Sequence, residues 1–266
     1  MTLPPPNPQS HAAPLDPSDQ QLIELILSCY ARGIFPMGTS RPGPLGLAGA
    51  LLEDGPVDWV SVDPRSILPL DGLIISRSLR AKIRKRTFTI TLDRAFEQVI
   101  QQCATVTRSR NQLLGEDPHE PAAVADHDDE SEPAADDNPT WINPWIIDAF
   151  TKLHRAGYAH SVEAWLTPDI SADNPAPKPM LVGGLYGLHL GSAFFGESMF
   201  SRPDLGGTDA SKVCLVHLVD HLRSRGFTLL DTQYANPHMQ RLGVIEIPVA
   251  KYLKLLKNAL STSATW

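Results

Sequence analysis

Apolar residues recur at helical spacing through Leu22, Ile23, Ile26 and Tyr30 and stop at Gly33, which predicts a short amphipathic helix. A capping box of Ser18 and Gln21 opens it and the glycine closes it. The stretch before it, residues 1–17, is proline-rich and aperiodic and reads as a disordered leader. Gly33–Gly38 reads as a turn, and the Gly/Pro-rich run to Pro56 as a loop leading to a strand over Val57–Val62. From Leu73 the pattern becomes a helix with a cationic face, then a strand over Thr87–Leu92, then a helix capped by Asp93 that turns Phe96, Val99, Ile100 and Cys103 to one side. Residues 105–139 are acidic, rich in Pro and Ala and aperiodic, and read as a disordered insertion.

Beyond the insertion the signals sharpen. Asn143 as N-cap with Pro144 at the first helical position predicts a helix to Gly157. Ser161–Leu166, Met180–Leu188 and Ser192–Glu197 read as an antiparallel meander. A helix over Ala210–Arg225 ends at Gly226, Phe227–Gln233 is apolar on both faces as a central strand is, and Val249–Leu260 is a last helix. This order predicts an α+β fold with a mixed, mostly antiparallel sheet covered by helices. Residues 18–72 are expected to form a small N-terminal domain and residues 73–266 a larger one.

Composition changes this picture in three respects. The chain has 266 residues, 42% of them hydrophobic, enough to bury a sizeable core. Nothing in it approaches the roughly 20 consecutive apolar residues of a membrane span, so a cytoplasmic protein is expected. The net charge of -7 is concentrated: residues 116–137 hold ten acidic residues and no Lys or Arg, so the remainder sums to 23 minus 20, or +3. That surplus permits contact with nucleic acid without arguing for it. Cys29, Cys103 and Cys214 lie far apart on apolar helix faces, as reduced buried thiols do.

A series of blocks carries a more specific signal. Tyr30-Ala-Arg-Gly-Ile-Phe-Pro36, Ser61-Val-Asp-Pro-Arg65, Thr140-Trp-Ile142, His160-Ser-Val-Glu163, Gly183-Gly-Leu-Tyr-Gly187, Gly196-Glu-Ser-Met-Phe-Ser-Arg202, Ala210-Ser-Lys212, Asp231-Thr-Gln233 and Leu242-Gly243 occur in that order. Together they resemble the leucyl/phenylalanyl-tRNA-protein transferases from about Gln20 to Leu260, the insertion excepted. The chain departs from that pattern at Trp59-Val60, at Leu185 and at Asn143, where the family has Trp-Trp, Met and Thr. The resemblance implies a GNAT-like acyltransferase domain beside a small N-terminal one. It also implies an enzyme that moves Leu or Phe, and in some cases Met, from aminoacyl-tRNA to proteins with N-terminal Arg or Lys and so tags them for N-end-rule degradation. Such an enzyme is expected to act as a monomer without cofactor, metal or membrane.

The chemistry is aminolysis of an ester, which needs positioning, a proton acceptor and support for an oxyanion rather than strong activation. Asp231 and Gln233, two apart on a strand, are expected on one face. The resemblance makes them the catalytic pair, Asp231 taking or polarising the amine proton and Gln233 orienting it. Glu197 fits the cationic N-terminal residue of the acceptor, or pairs with Arg202. Leu185, Phe194, Met199 and Leu230 match positions that surround the donor amino acid in the family, although apolar strand residues are as readily core. Arg77, Arg80, Arg84 and Lys85 largely share one helix side and suit phosphates of the tRNA 3' end or a solvated face. Trp141 suits stacking on the terminal adenine or a structural role.

Two other readings compete. A coenzyme-A-dependent N-acyltransferase would bind phosphate at Arg202-Pro-Asp-Leu-Gly-Gly207, before a helix. A catalytically silent binding module would have no use for Asp231, Gln233 and Glu197 together. His217 and His221 share a helix face at metal-ligand spacing, but Leu218 stands where a zinc-protease motif has Glu.

Overall fold

The computed structural model describes residues 16–114, 140–168 and 176–266. Its centre is a mixed sheet of seven strands in the order β4 (Thr89–Leu92), β5 (Ala159–Leu166), β6 (Met180–Leu190), β7 (Ala193–Ser201), β8 (Leu229–Gln233), β3 (Arg65–Ile67) and β9 (Ile245–Ile247). Among the described strands of this sheet only β7 and β8 run parallel; the other neighbouring pairs are antiparallel. A separate ribbon pairs β1 (Phe35–Gly38) with β2 (Val57–Val60).

Helices cover both faces, because residues alternate between two apolar layers along each strand. Tyr186, Leu188 and Phe195 join a layer built with α1 (Pro17–Tyr30), α2 (Gly46–Ala50), α4 (Phe96–Leu114), α5 (Pro144–Arg155) and α8 (Val249–Leu260). Val182, Leu185, Phe194 and Leu230 join the opposite layer with α3 (Arg77–Arg84) and α6 (Ala210–Ser224). A single turn, α7 (Pro237–Gln240), follows β8. None of the described helices is long and apolar enough to cross a membrane.

The meander, α5, α6 and α8 form where the sequence pattern places them, and Asn143 caps α5 by accepting the amide of Ile146 at 3.0 Å. Other starts differ. Asp16, not Ser18, caps α1, accepting the Ser18 amide at 2.8 Å, because Pro17 takes the first helical position where its missing N–H costs nothing. The turn after Gly33 is shorter than expected and gives way at Phe35 to β1.

Asp93 does not cap α4. Its φ is +56° and its carboxylate accepts instead from the Ser161 amide and the His160 imidazole, each at 2.8 Å. Glu163, from β5, accepts the amides of Arg94 and Ala95 at 3.2 and 3.3 Å, so a strand residue caps the helix across the sheet. α4 itself continues to Leu114, so the first ten residues expected to be unstructured are helical, and the rest of that insertion lies outside the described residues, as do most of the leader and part of the loop after β5. The strand Arg65–Ile67, too short to announce itself in the sequence, brings part of the segment 18–72 into the large sheet.

Candidate active site

Two β-bulges build the site. Gly187 pairs with Gly196 while Tyr186 pairs with Ser198, which leaves Glu197 as the extra residue of β7. Ile67 pairs with Asp231 while Ser66 pairs with Gln233, which leaves Thr232 as the extra residue of β8. A bulge bends its strand and re-aims a side chain, and Gln233 completes the bend with a left-handed φ of +53°. Both bulges fall beside the place where the parallel pairing stops. β7 and β8 are joined from Ala193↔Leu229 to Phe195↔Asp231, beyond which β7 continues to Ser201 without β8. The strands part there, and the side chains of Glu197 and Gln233 bridge the opening.

Asp231 is fully buried and saturated. The Arg65 guanidinium grips it with two prongs, Nε on Oδ1 at 2.9 Å and Nη2 on Oδ2 at 2.6 Å. The Tyr252 hydroxyl donates to Oδ2 at 2.6 Å and the Gln233 amide to Oδ1 at 2.9 Å. Each oxygen thus has two donors, which fills the lone pairs of a carboxylate. Arg65, 1% exposed, also donates from Nη1 to the Gly33 carbonyl at 3.1 Å and lies over the rings of Phe35 and Tyr252, 4.7 and 4.6 Å from their centroids. This pair ties β3, β8, α8 and the end of α1 into one unit.

Glu197 is placed differently. Oε1 accepts the Tyr30 hydroxyl at 2.8 Å and the Gln233 side-chain amide at 3.3 Å, and no described residue donates to Oε2. Glu197 is half-buried, and the loss of water around its carboxyl pushes the pKa up to about 8, against the Tyr30 hydrogen bond, which lowers it; the Asp231 charge adds to the rise and the Arg65 charge opposes it. Burial, and then the charge of Glu197, raises the Tyr30 pKa well above the ordinary phenol value, so this hydroxyl stays a donor.

The predicted pair Asp231 and Gln233 and the predicted Glu197 therefore come together. Leu185, Phe194, Met199 and Leu230 also form one group, in the layer beneath α6, with Leu185 opposite Met199 and Phe194 opposite Leu230 in the sheet. That group is on the other side of the sheet from Glu197 and Asp231, whose partners Tyr30 and Tyr252 belong to the opposite layer. Arg77, Arg80 and Arg84 on α3 and Lys85 at its C-terminal cap are all exposed, and α3 packs on the layer that holds the apolar group. None of the four is in a salt bridge among the described residues. Trp141, half-buried, lies next to β1, its carbonyl accepting the Gly38 amide at 3.0 Å. Arg202 pairs with Asp204 rather than with Glu197.

Tyr30, Arg65 and Tyr252 were not singled out by sequence. Tyr30 and Arg65 sit within two of the quoted blocks, which was the available signal, whereas Tyr252 reads only as an apolar position of α8. His217 is exposed and His221 turns inward toward Trp266; among the described residues no three His, Cys, Asp or Glu side chains are placed to hold a metal ion. Cys29, Cys103 and Cys214 are buried free thiols, Cys103 pushed up to about 12 by burial. A cavity of about 500 Å³ at the start of β8, lined by Leu68, Leu70, Arg223, Phe227 and Leu255, includes Leu230 of the apolar group and neither Asp231 nor Glu197.

The family model described as Leucyl/phenylalanyl-tRNA protein transferase matches residues 67–114 and 123–257. A protein of Salinibacter ruber (strain DSM 13855 / M31) described as Leucyl/phenylalanyl-tRNA--protein transferase is 40% identical over 248 residues, covering 93% of this chain and 84% of its own. Among solved structures, FemX aligns with a TM-score of 0.45 at 13% identity, over 85% of this chain and 66% of its own. L-PGS from Bacillus licheniformis aligns with a TM-score of 0.34 at 11% identity, over 78% and 50%.

Proposed function

The chain belongs to the leucyl/phenylalanyl-tRNA protein transferase family, and on that premise we propose that it carries Leu or Phe, with Met as a further donor, from aminoacyl-tRNA to N-terminal Arg or Lys, with Glu197 as the proton acceptor. The acceptor's α-amine attacks the ester carbonyl: a C–N bond forms, the carbonyl electrons move onto its oxygen, and their return breaks the bond to the tRNA 3' oxygen. The proton leaving the amine passes to Glu197 and from there to the departing oxygen. The product protein is thereby tagged for degradation.

The observation that carries this assignment is the unequal state of the two carboxylates. Asp231 has no free lone pair, so its part is to hold Arg65, Tyr252 and the bent backbone of Gln233. Glu197 has a free oxygen at the parting of the strands and a pKa of about 8, close to the roughly 7.7–8.0 of an α-amine. A proton therefore moves between them at little cost. The negative charge that takes the proton also favours approach of a cationic N-terminal residue.

The amino-acid side chain of the donor occupies the group formed by Leu185, Phe194, Met199 and Leu230, and the ester crosses the sheet where β7 and β8 separate. A parallel pair that splits to admit an acyl donor is the arrangement we read as GNAT-like. Residues 73–266 supply it and residues 18–72 the smaller unit that brings Tyr30 to Glu197. The exposed Arg77, Arg80, Arg84 and Lys85 contact phosphates near the tRNA 3' end, and Trp141 stacks on its last base. No step calls for a metal or cofactor.

Transfer of radiolabelled Leu and Phe from charged tRNA to peptides beginning with Arg or Lys tests the reading. Product from the tRNA ester and none from acetyl coenzyme A is expected. Product from acetyl coenzyme A alone supports the coenzyme-A enzyme, and no product from either donor supports a silent binding module.

A further inference from the structure

After α8 the chain crosses the end of the sheet at the β6–β7 turn. The Ser192 amide donates to the Ala259 carbonyl at 2.8 Å, and the Ala264 amide to the Gly191 carbonyl at 3.2 Å. The crossing carries Trp266 from the α8 face to the α6 face. There its indole lies flat against two rings at once: His160, with centroids 4.4 Å apart and planes 17° apart, and Phe194, with centroids 5.4 Å apart and planes 18° apart. His221 meets it edge-on at 4.5 Å.

The indole is held by ring and apolar contact and by the backbone tether at Ala264, not by a hydrogen bond of its own. Among the described residues Trp266 Nε1 is buried without a hydrogen-bond partner, and so are His160 Nε2 and His221 Nε2. Phe194 is confined on its other sides. A Cβ at Gly187 would lie 2.4 Å from Phe194 Cε1, and Phe227 packs edge-on at 6.5 Å. The Phe194 ring is therefore caught between a glycine that leaves no slack and an indole whose N–H has no partner among the described residues.

We infer that Trp266 is a positioning residue for donor selection: by backing Phe194 it sets the depth of the apolar pocket and so the preference between Leu and Phe. This rests on the assignment of Leu185, Phe194, Met199 and Leu230 to the donor side chain. Removing the indole lets Phe194 retreat and deepens the pocket, which favours the longer aromatic donor. His160 in turn fixes the indole, being held by Asp93 at 2.8 Å.

The test is the ratio of kcat/KM for Phe-tRNA to that for Leu-tRNA, measured with wild type, Trp266→Ala and Trp266→Phe on one peptide beginning with Arg. A change of pocket depth by a methylene or two discriminates by roughly tenfold or more, so Trp266→Ala is expected to raise the ratio about tenfold. Trp266→Phe, which keeps a stacking ring, restores it, and the KM for the peptide stays unchanged in both. A merely structural tryptophan would lower both rates together with the ratio constant, and that result overturns the inference. Should Trp266→Ala fail to fold, Trp266→Leu takes its place with the same direction expected. Wild type that transfers neither amino acid overturns the reading of the pocket itself, a distinguishable failure.

Discussion

The Tyr30 hydroxyl, at the end of the first helix, donates a 2.8 Å hydrogen bond to Glu197, the bulged residue of β7. That bond lowers the Glu197 pKa against the burial that raises it to about 8. Tyr30→Phe removes a lowering influence, so the carboxyl loses its proton at higher pH. Because the base must be ionised, the rising acidic limb of the single-turnover rate is expected to move to higher pH in Tyr30→Phe. The same acceptor peptide in both series cancels the titration of its own amine, and coincident limbs would deny the contact any part in setting the base.

Glu197 also links pH to stability. Its pKa rises from the ordinary 4.5 to about 8 on folding. Between these values the unfolded chain releases the proton while the folded chain keeps it, so the residue erodes stability as pH climbs through that window and adds no further loss above it. Glu197→Gln, a neutral isostere able to accept the same two hydrogen bonds, is expected to melt higher than wild type at pH 9 and together with it near pH 4. Thermal unfolding at both pH values reads this directly.

With two donors on each oxygen of Asp231, its replacement is expected to show first as lost stability. Asp231→Asn leaves the Arg65 guanidinium buried with no counter-charge, and breaking a buried pair from one side costs about 3–5 kcal/mol. Urea unfolding should register that loss. Replacing both members together, as Arg65→Met with Asp231→Leu, should cost less than the single change.

Gly187 is required by crowding. An added Cβ would stand 2.3 Å from the Phe195 carbonyl and 2.4 Å from Phe194. Gly187→Ala is expected to destabilise by about 1–3 kcal/mol, as overpacking does, and to disturb the donor pocket through Phe194. Unfolding free energies and Leu transfer rates measured together would reveal both effects.

Much of this arrangement is legible in the sequence wherever one local rule suffices. Asn143-Pro144 announces α5, Gly226 ends α6, and the apolar run before Asp231 marks an interior strand. What escapes is what depends on long-range partners. Asp93 looks like a cap until Glu163 of β5 displaces it, and nothing local to Arg65 announces that Asp231 claims it from 166 residues away. Asp231 and Gln233 do come together, yet alternation along an ideal strand gives no sign of the bulge at Thr232 or of the saturation of the carboxylate by four donors. Neither does spacing place the apolar group of Leu185 and Phe194 on the sheet face opposite Glu197; that follows from two apolar layers that only the fold separates.

The assignment of proton transfer to Glu197 is tested most directly by the single-turnover rate of Leu transfer from charged tRNA to a peptide beginning with Arg, compared between wild type and Glu197→Gln from pH 6 to 9. A positioned general base is worth about 10²–10⁴-fold, so the account predicts that Glu197→Gln loses at least about a hundredfold at pH 8 and that whatever rate survives follows the titration of the peptide amine alone. A variant that keeps the wild-type rate and pH profile would contradict it.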